Sequence, residues 1–162
     1  MRCVIKKMSI EDVNGVNVLF CKLGTDQMSK NSFCVAPVLD FDLRSFYKKC
    51  LKNKNCAIFV AKLGNEVVGY IELWQRDCDE NFEVAPFIYA QHLFVDEAAR
   101  GNENSYKILI GLYEKAESWA KEKSYEFLGV DVYGFNTKVQ SLVNSLGFTS
   151  YKTRFVKKLA AQ

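Results

Sequence analysis

The chain has 162 residues, of which 49% are hydrophobic and 25% charged, and a formal net charge of +3. That length suits one domain with a continuous core, and the charge is too small to call for nucleic acid as a partner. The N-terminal stretch MRCVIKKMSIEDV turns polar too early for a secretory leader, and no run nears the roughly 20 apolar residues of a membrane helix, so a soluble cytoplasmic protein without a membrane partner is expected.

Met1 to Lys7 reads as a short strand, and Ser9 with Asp12 three places on reads as a helix start. Val13, Val16, Phe20 and Leu23 recur at three- and four-residue steps and predict a helix with one core-facing stripe. Gly24 to Pro37 mixes Gly, Ser, Asn and Pro and predicts a loop. Asp40 then caps a short helix whose inner face is Leu43, Phe46, Tyr47 and Leu51.

The period next changes to two. CAIFVAKL (Cys56 to Leu63) and VVGYIELWQ (Val67 to Gln75), joined by Gly64-Asn65, predict an antiparallel hairpin. Arg76 to Glu83 is a polar, acidic loop, and Phe87 to Val95 returns to strand character. Ile108, Leu109, Leu112, Tyr113, Ala116, Trp119 and Ala120 mark an amphipathic helix of about four to five turns. EFLGVDV (Glu126 to Val132) is an apolar strand expected to be covered on both faces. Asn136 caps a last helix that Gly147 stops, and Ser150 to Lys158 alternates like an exposed final strand. The order is β-α-α-β-β-β-α-β-α-β, an α/β (α+β) fold with a mixed sheet.

Six cysteines at irregular spacings, with no CxxC pair and a single histidine, argue against a metal site and read as reduced thiols. The segment HLFVDEAARGNENSYKILIGL (His92 to Leu112) passes from strand through a Gly/Asn turn into a helix. Amides gathered at a helix N-terminus bind anions, and Arg100 adds a fixed charge beside Gly101, Asn102, Asn104 and Ser105. Any strand-to-helix turn uses such residues, so the turn by itself leaves both readings open.

The stretch LFVDEAARGNENS, the helix after it, the next strand and NTKVQSLVNSLGF (Asn136 to Phe148) together resemble the GNAT superfamily of N-acetyltransferases. The resemblance implies a mixed, mostly antiparallel sheet of six to seven strands with about four helices, in a single domain over 1–162. It implies acetyl-CoA as co-substrate and an amine-bearing acceptor. The family's phosphate turn, Arg/Gln-x-x-Gly-x-Gly/Ala, falls on Arg100-Gly101-Asn102-Glu103-Asn104-Ser105. Glu103 and Ser105 depart from it, and a carboxylate at Glu103 weakens coenzyme binding without abolishing it, because the amides bind the phosphates. The pantetheine arm would lie along Leu93, Phe94 and Val95, where that strand splays from the next, and Asn136 would reach it as well as capping its helix. Many family members place a tyrosine acid five residues before the phenylalanine of the last Gly-Phe pair; here that position is Val143, so Tyr133 or water substitutes.

Candidate bases are Glu72, Glu83 and His92. Glu72 either is desolvated within the apolar strand, with its pKa raised, or faces solvent by alternation. His92 is either catalytic or structural. Asp77, Asp79, Glu80 and Glu83, with Phe82, Trp74, Phe87 and Tyr89 around them, either recruit a cationic amine or are simply solvated. The expected activity is acetyl transfer to a primary amine by direct attack; the alternative is a catalytically weak acyl-CoA-binding or regulatory module. Oligomeric state stays open, a homodimer being one option.

Overall fold

A computed structural model describes residues 3–30, 42–77, 85–99 and 103–157. The chain forms two compact units, Met1–Asp131 and Val132–Gln162.

The first unit holds β1 (Cys3–Lys7), a 3-10 turn (Ile10–Asp12), α1 (Val13–Lys30), α2 (Arg44–Cys50), β2 (Cys56–Leu63), β3 (Glu66–Arg76), β4 (Phe87–Val95), a second 3-10 turn (Glu97–Ala99), α3 (Glu103–Glu122) and β5 (Phe127–Val130). The strands form one sheet in the order β1-β2-β3-β4-β5. The first three ladders are antiparallel and β4 pairs with β5 in parallel. Among the described residues the expected six to seven mostly antiparallel strands are therefore corrected to five in a mixed sheet. The missing strand is the C-terminal one: residues 150–157 form no ladder, because alternation supplies a face but not a neighbour to pair with.

The hairpin follows from its turn. Gly64 takes φ +61 at the first central position, as a type II′ connection requires, and Leu63 pairs with Glu66. α1 runs past Gly24, where a loop was predicted. There Thr25 and Ser29 return their hydroxyls to the carbonyls of Cys21 and Asp26, and Lys30 pairs with Asp26 at 2.7 Å, so residues that favour loops are satisfied within the helix. The second helix is capped from Asp42, whose Oδ1 accepts the Arg44 backbone N–H at 3.0 Å; Asp40 lies outside the described residues.

Both faces of the sheet are covered. α3 buries Ile108, Leu112, Ala116, Trp119 and Ala120 against Ala57, Val68, Ile71, Leu73, Ile88 and Ala90. α1 and α2 bury Val13, Val16, Leu19, Leu23 and Tyr47 against Ile58, Val60, Tyr70 and Phe94 on the other. β5 is an edge strand, four residues long, and not the doubly covered seven-residue strand expected.

In the second unit α4 (Thr137–Ser145) starts at Asn136, whose Oδ1 accepts the Val139 N–H at 3.4 Å. It ends in a Schellman turn: Gly147 sits at φ +87, and the Phe148 N–H reaches the Val143 carbonyl at 3.1 Å.

Candidate active site

β3 and β4 carry a buried polar cluster in the first unit. Along β4, Ile88 and Ala90 point to the α3 side, so strict alternation would send His92 there too. It does not go there. Glu72 pairs with His92 but Leu73 pairs with Ala90, so Gln91 is an extra residue in β4, a bulge that exchanges the faces of all that follows. His92 and Phe94 thereby join the α1/α2 side, opposite Glu72 and Tyr70.

The Glu72 carboxylate is 1% exposed and has a partner for each oxygen. Trp74 Nε1–H donates to Oε1 at 2.7 Å, and His92 Nδ1 lies 2.9 Å from Oε2. Of the two readings of Glu72, the buried one holds. Alternation had offered a solvated face, but every residue of β3 from Val67 to Leu73 is buried. His92 stays 27% exposed and packs edge-on against Phe20 of α1, with ring centroids 5.3 Å apart. The Glu72 carboxylate thus holds one ring nitrogen of an imidazole that keeps part of its surface in solvent.

The hydroxyls of Tyr47 and Tyr70 lie behind this pair. Burial pushes both well above the ordinary tyrosine value, and the Glu72 charge adds to the effect. Phe46 of α2 lies over Trp74, centroids 6.1 Å apart, and extends the aromatic surface outward.

On its other edge β4 meets β5 over four residue pairs, from Phe87–Phe127 to Ala90–Val130. β5 stops there, while β4 continues through Leu93, Phe94 and Val95. The pairing between them therefore ends one residue before the bulge. Beyond β4, the Asp96 N–H bonds to the Val68 carbonyl at 2.8 Å and its carboxylate pairs with Lys22 of α1, which fixes the approach to α3. The helix opens at Glu103, with Asn104 and Ser105 in its first turn. Arg100, Gly101 and Asn102 of the proposed phosphate turn lie outside the described residues, as do Asp79, Glu80, Phe82 and Glu83 of the acidic loop.

Tyr133 and Asn136 lie in the second unit, where Tyr133 stacks on Phe135 at 5.3 Å and Asn136 caps α4. Among the described residues, no group of three or more His, Cys, Asp or Glu is placed to hold a metal ion, and no helix is long and apolar enough to cross a membrane. Cys3, Cys21, Cys50 and Cys56 are in no disulfide; Cys34 and Cys78 lie outside the described residues. Sequence reasoning missed the bulge, the Trp74 indole as an anchor for Glu72, and Phe20 as a wall for His92. Only the i, i+2 spacing of Glu72 and Trp74 hinted at any of them.

The sequence profile of the Acetyltransferase (GNAT) family matches residues 26–148. The chain belongs to that family. No curated protein matches it by sequence. In structure, this GNAT chain is similar to a mutant of the BH1408 protein from Bacillus halodurans, at 20% identity and TM-score 0.78 over 97% of this chain and 99% of that one. It is also similar to the aminoglycoside N-acetyltransferase AAC(6')-Iy in complex with CoA, at 17% identity and TM-score 0.70 over 97% and 100%. A third likeness is to AAC(6')-Ih from Acinetobacter baumannii, at 16% identity and TM-score 0.71 over 99% and 100%. These likenesses establish the GNAT fold of this chain.

Proposed function

We propose that this protein is an N-acetyltransferase, a single functional domain that moves an acetyl group from acetyl-CoA to a primary amine of a small molecule or peptide by direct attack. The observation that carries the proposal is the Glu72–His92 pair, which stands at the point where β4 parts from β5. The residues present suit the coenzyme. β4 runs on past the end of β5 and offers a strand edge for the pantetheine arm, and the opening turn of α3 follows β4 after a short junction that carries Arg100. AAC(6')-Iy binds CoA in the same fold.

The thioester supplies an activated acetyl carbonyl. A primary amine with a pKa near 10.4 reaches the site as an ammonium and must lose a proton before it attacks. Glu72 holds the hydrogen on Nδ1 of His92, which leaves the lone pair on Nε2 to accept that proton. The C–N bond then forms, the C–S bond breaks, and the second proton lost by the nitrogen passes through water to the leaving thiolate. His92 is the catalytic base and Glu72 a positioning residue.

Val143 favours a second reading, a weakly active acyl-CoA-binding module, because it stands where many relatives keep an acid. The two separate in one experiment: chromatographic measurement of CoA released from acetyl-CoA with a panel of amines, including sisomicin, the ligand of a structurally similar metagenomic aminoglycoside acetyltransferase. Amine-dependent release that falls in His92→Ala supports the enzyme. Saturable acetyl-CoA binding with no release from any amine supports the module.

A further inference from the structure

We propose that Cys50 and Cys56 form a redox-active dithiol site, which hydrogen peroxide or a similar two-electron oxidant closes to a disulfide that clamps α2 to β2. The site is distinct from the Glu72–His92 pair, and its test reads no acetyl transfer.

Cys50 ends α2 and Cys56 opens β2. The chain between them turns twice in succession: the Asn53 N–H donates to the Cys50 carbonyl at 3.1 Å, and the Cys56 N–H donates to the Asn53 carbonyl at 3.2 Å. The start of the strand is thereby folded back on the end of the helix. Both side chains enter the same apolar core, 6% and 4% exposed, and there the two thiols are hydrogen-bond partners. Both also line one cavity of about 10 Å³, with Lys7, Met8, Leu51 and Ile58 around them, which is room for one water-sized molecule.

A buried cysteine is ordinarily inert, because burial disfavours its thiolate and keeps reagents away. This pair differs on both counts. The hydrogen bond from Cys56 favours the thiolate of Cys50 and lowers its pKa, while the same bond and burial push the Cys56 thiol up. The cavity gives a small oxidant a place beside the sulfurs. The Cys50 thiolate attacks one peroxide oxygen, the O–O bond breaks, and the hydroxide that leaves takes a proton to become water. The Cys56 sulfur then attacks the sulfenic acid so formed. The S–S bond closes, and the hydroxyl departs with the Cys56 proton as a second water. The two sulfurs lose two electrons and the peroxide gains them.

The clamp sits where two parts of the fold meet. Cys56 is the cross-strand partner of Trp74, and α2 sets Phe46 over that indole with ring centroids 6.1 Å apart. The disulfide therefore ties the strand beside Trp74 to the helix that covers it.

In the test, the full chain is reduced with dithiothreitol, freed of it and treated with hydrogen peroxide under conditions that oxidise glutathione. Remaining thiols are blocked with N-ethylmaleimide in denaturant, and the protein is digested with trypsin. Cleavage after Lys49, Lys52, Lys54 and Lys62 separates the two cysteines, so the disulfide is read by mass as residues 50–52 joined to residues 55–62. That linked pair should be the main oxidation product of the wild type and should be split by dithiothreitol. Oxidation should also raise the melting midpoint by a few degrees, because the bond restrains the unfolded chain. In Cys50→Ala and Cys56→Ala the linked pair and the rise should both be absent, whereas Cys21→Ala should keep them. Melting curves of the reduced proteins check folding, and either variant of the pair suffices if the other does not fold. Unreacted thiols at Cys50 and Cys56, a sulfinic or sulfonic acid at Cys50 as the main product, or links dominated by another cysteine would each overturn the assignment.

Discussion

Glu72 and His92 are direct cross-strand partners only because Gln91 bulges out between Ala90 and His92. In an unbroken ladder Gln91 would take that place opposite Glu72, and the imidazole would face α3. The site and the packing of β4 therefore depend on one residue of register.

Replacing His92 with Ala should lower kcat/KM for amine acetylation by about 10²-fold or more, the usual worth of a positioned base. Glu72→Gln keeps an acceptor for the Trp74 N–H but loses the charge that supports an imidazolium, and should cost a similar factor. If the two act as a unit, the double variant is no worse than His92→Ala alone. Losses that multiply would mean that Glu72 acts through the fold and not through His92.

The elements with strong periodicity were legible. The β2–β3 hairpin and β4 fall where alternation and Gly64-Asn65 placed them, and α3 follows its spacing of three and four. A bulge leaves no such mark: Tyr89-Ala90-Gln91-His92-Leu93 alternates no differently from an unbroken strand, so the face of His92 could not be read. Glu72 shows a related limit. Alternation assigns a residue to a face, but whether that face is wet depends on α1 and α2, which lie more than twenty residues away in sequence. The family resemblance proposes a coenzyme junction at residues 100–105 and carries no information on the acceptor.

Asp12 makes the fold sensitive to acid. Its side chain is fully buried beside Lys62 Nζ at 2.7 Å and Lys6 Nζ at 2.9 Å, and its Oδ2 accepts the Ser9 N–H and hydroxyl. Burial alone would raise its pKa; the bonds from Lys62, Ser9 and Lys6 outweigh that and hold it well below the usual carboxylate range. A depressed folded-state value means stability that is present above about pH 4, the unfolded value, and is lost as pH falls towards the folded one. Asp12→Asn should cost roughly 3 kcal/mol at neutral pH, since two lysines lose their partner, and should flatten the acid limb of stability against pH. Urea unfolding at pH 7 and pH 3.5 checks both, and an unchanged acid limb would refute the assignment.

Ser124 offers a gain. It follows α3 at φ +60, with the Tyr125 N–H bonded back to the Ala120 carbonyl at 2.9 Å, so it occupies the left-handed position of a Schellman turn that glycine fills after α4. A Cβ is strained there by about 1 kcal/mol. Ser124→Gly should raise the melting midpoint by a few degrees, whereas Gly15→Ala should lower it, because the added Cβ would meet the Val67 side chain at 2.7 Å. Stabilisation by both would mean that helix propensity outweighs packing at Gly15 and that α1 can shift away from β3.

The junction before α3 yields the last prediction. Arg100 should attract the coenzyme phosphates, and Glu103, which opens the helix, should repel them. A ligand at 100 times its dissociation constant stabilises a protein by about 2.7 kcal/mol, so acetyl-CoA should raise the unfolding midpoint by several degrees. Arg100→Ala should weaken binding and shrink the shift at a fixed coenzyme concentration. Glu103→Gln removes the negative charge but keeps the helix-starting geometry, and should tighten binding several-fold, with more of the gain at low salt than at high salt. Dephospho-coenzyme A gives the contrast: if the effects of Arg100 and Glu103 come from the pyrophosphate, they persist with this analogue, and if they come from the ribose phosphate, they vanish. Equal affinity in all three proteins would mean that the coenzyme does not use this turn, and the helix N-terminus would lose its assigned role.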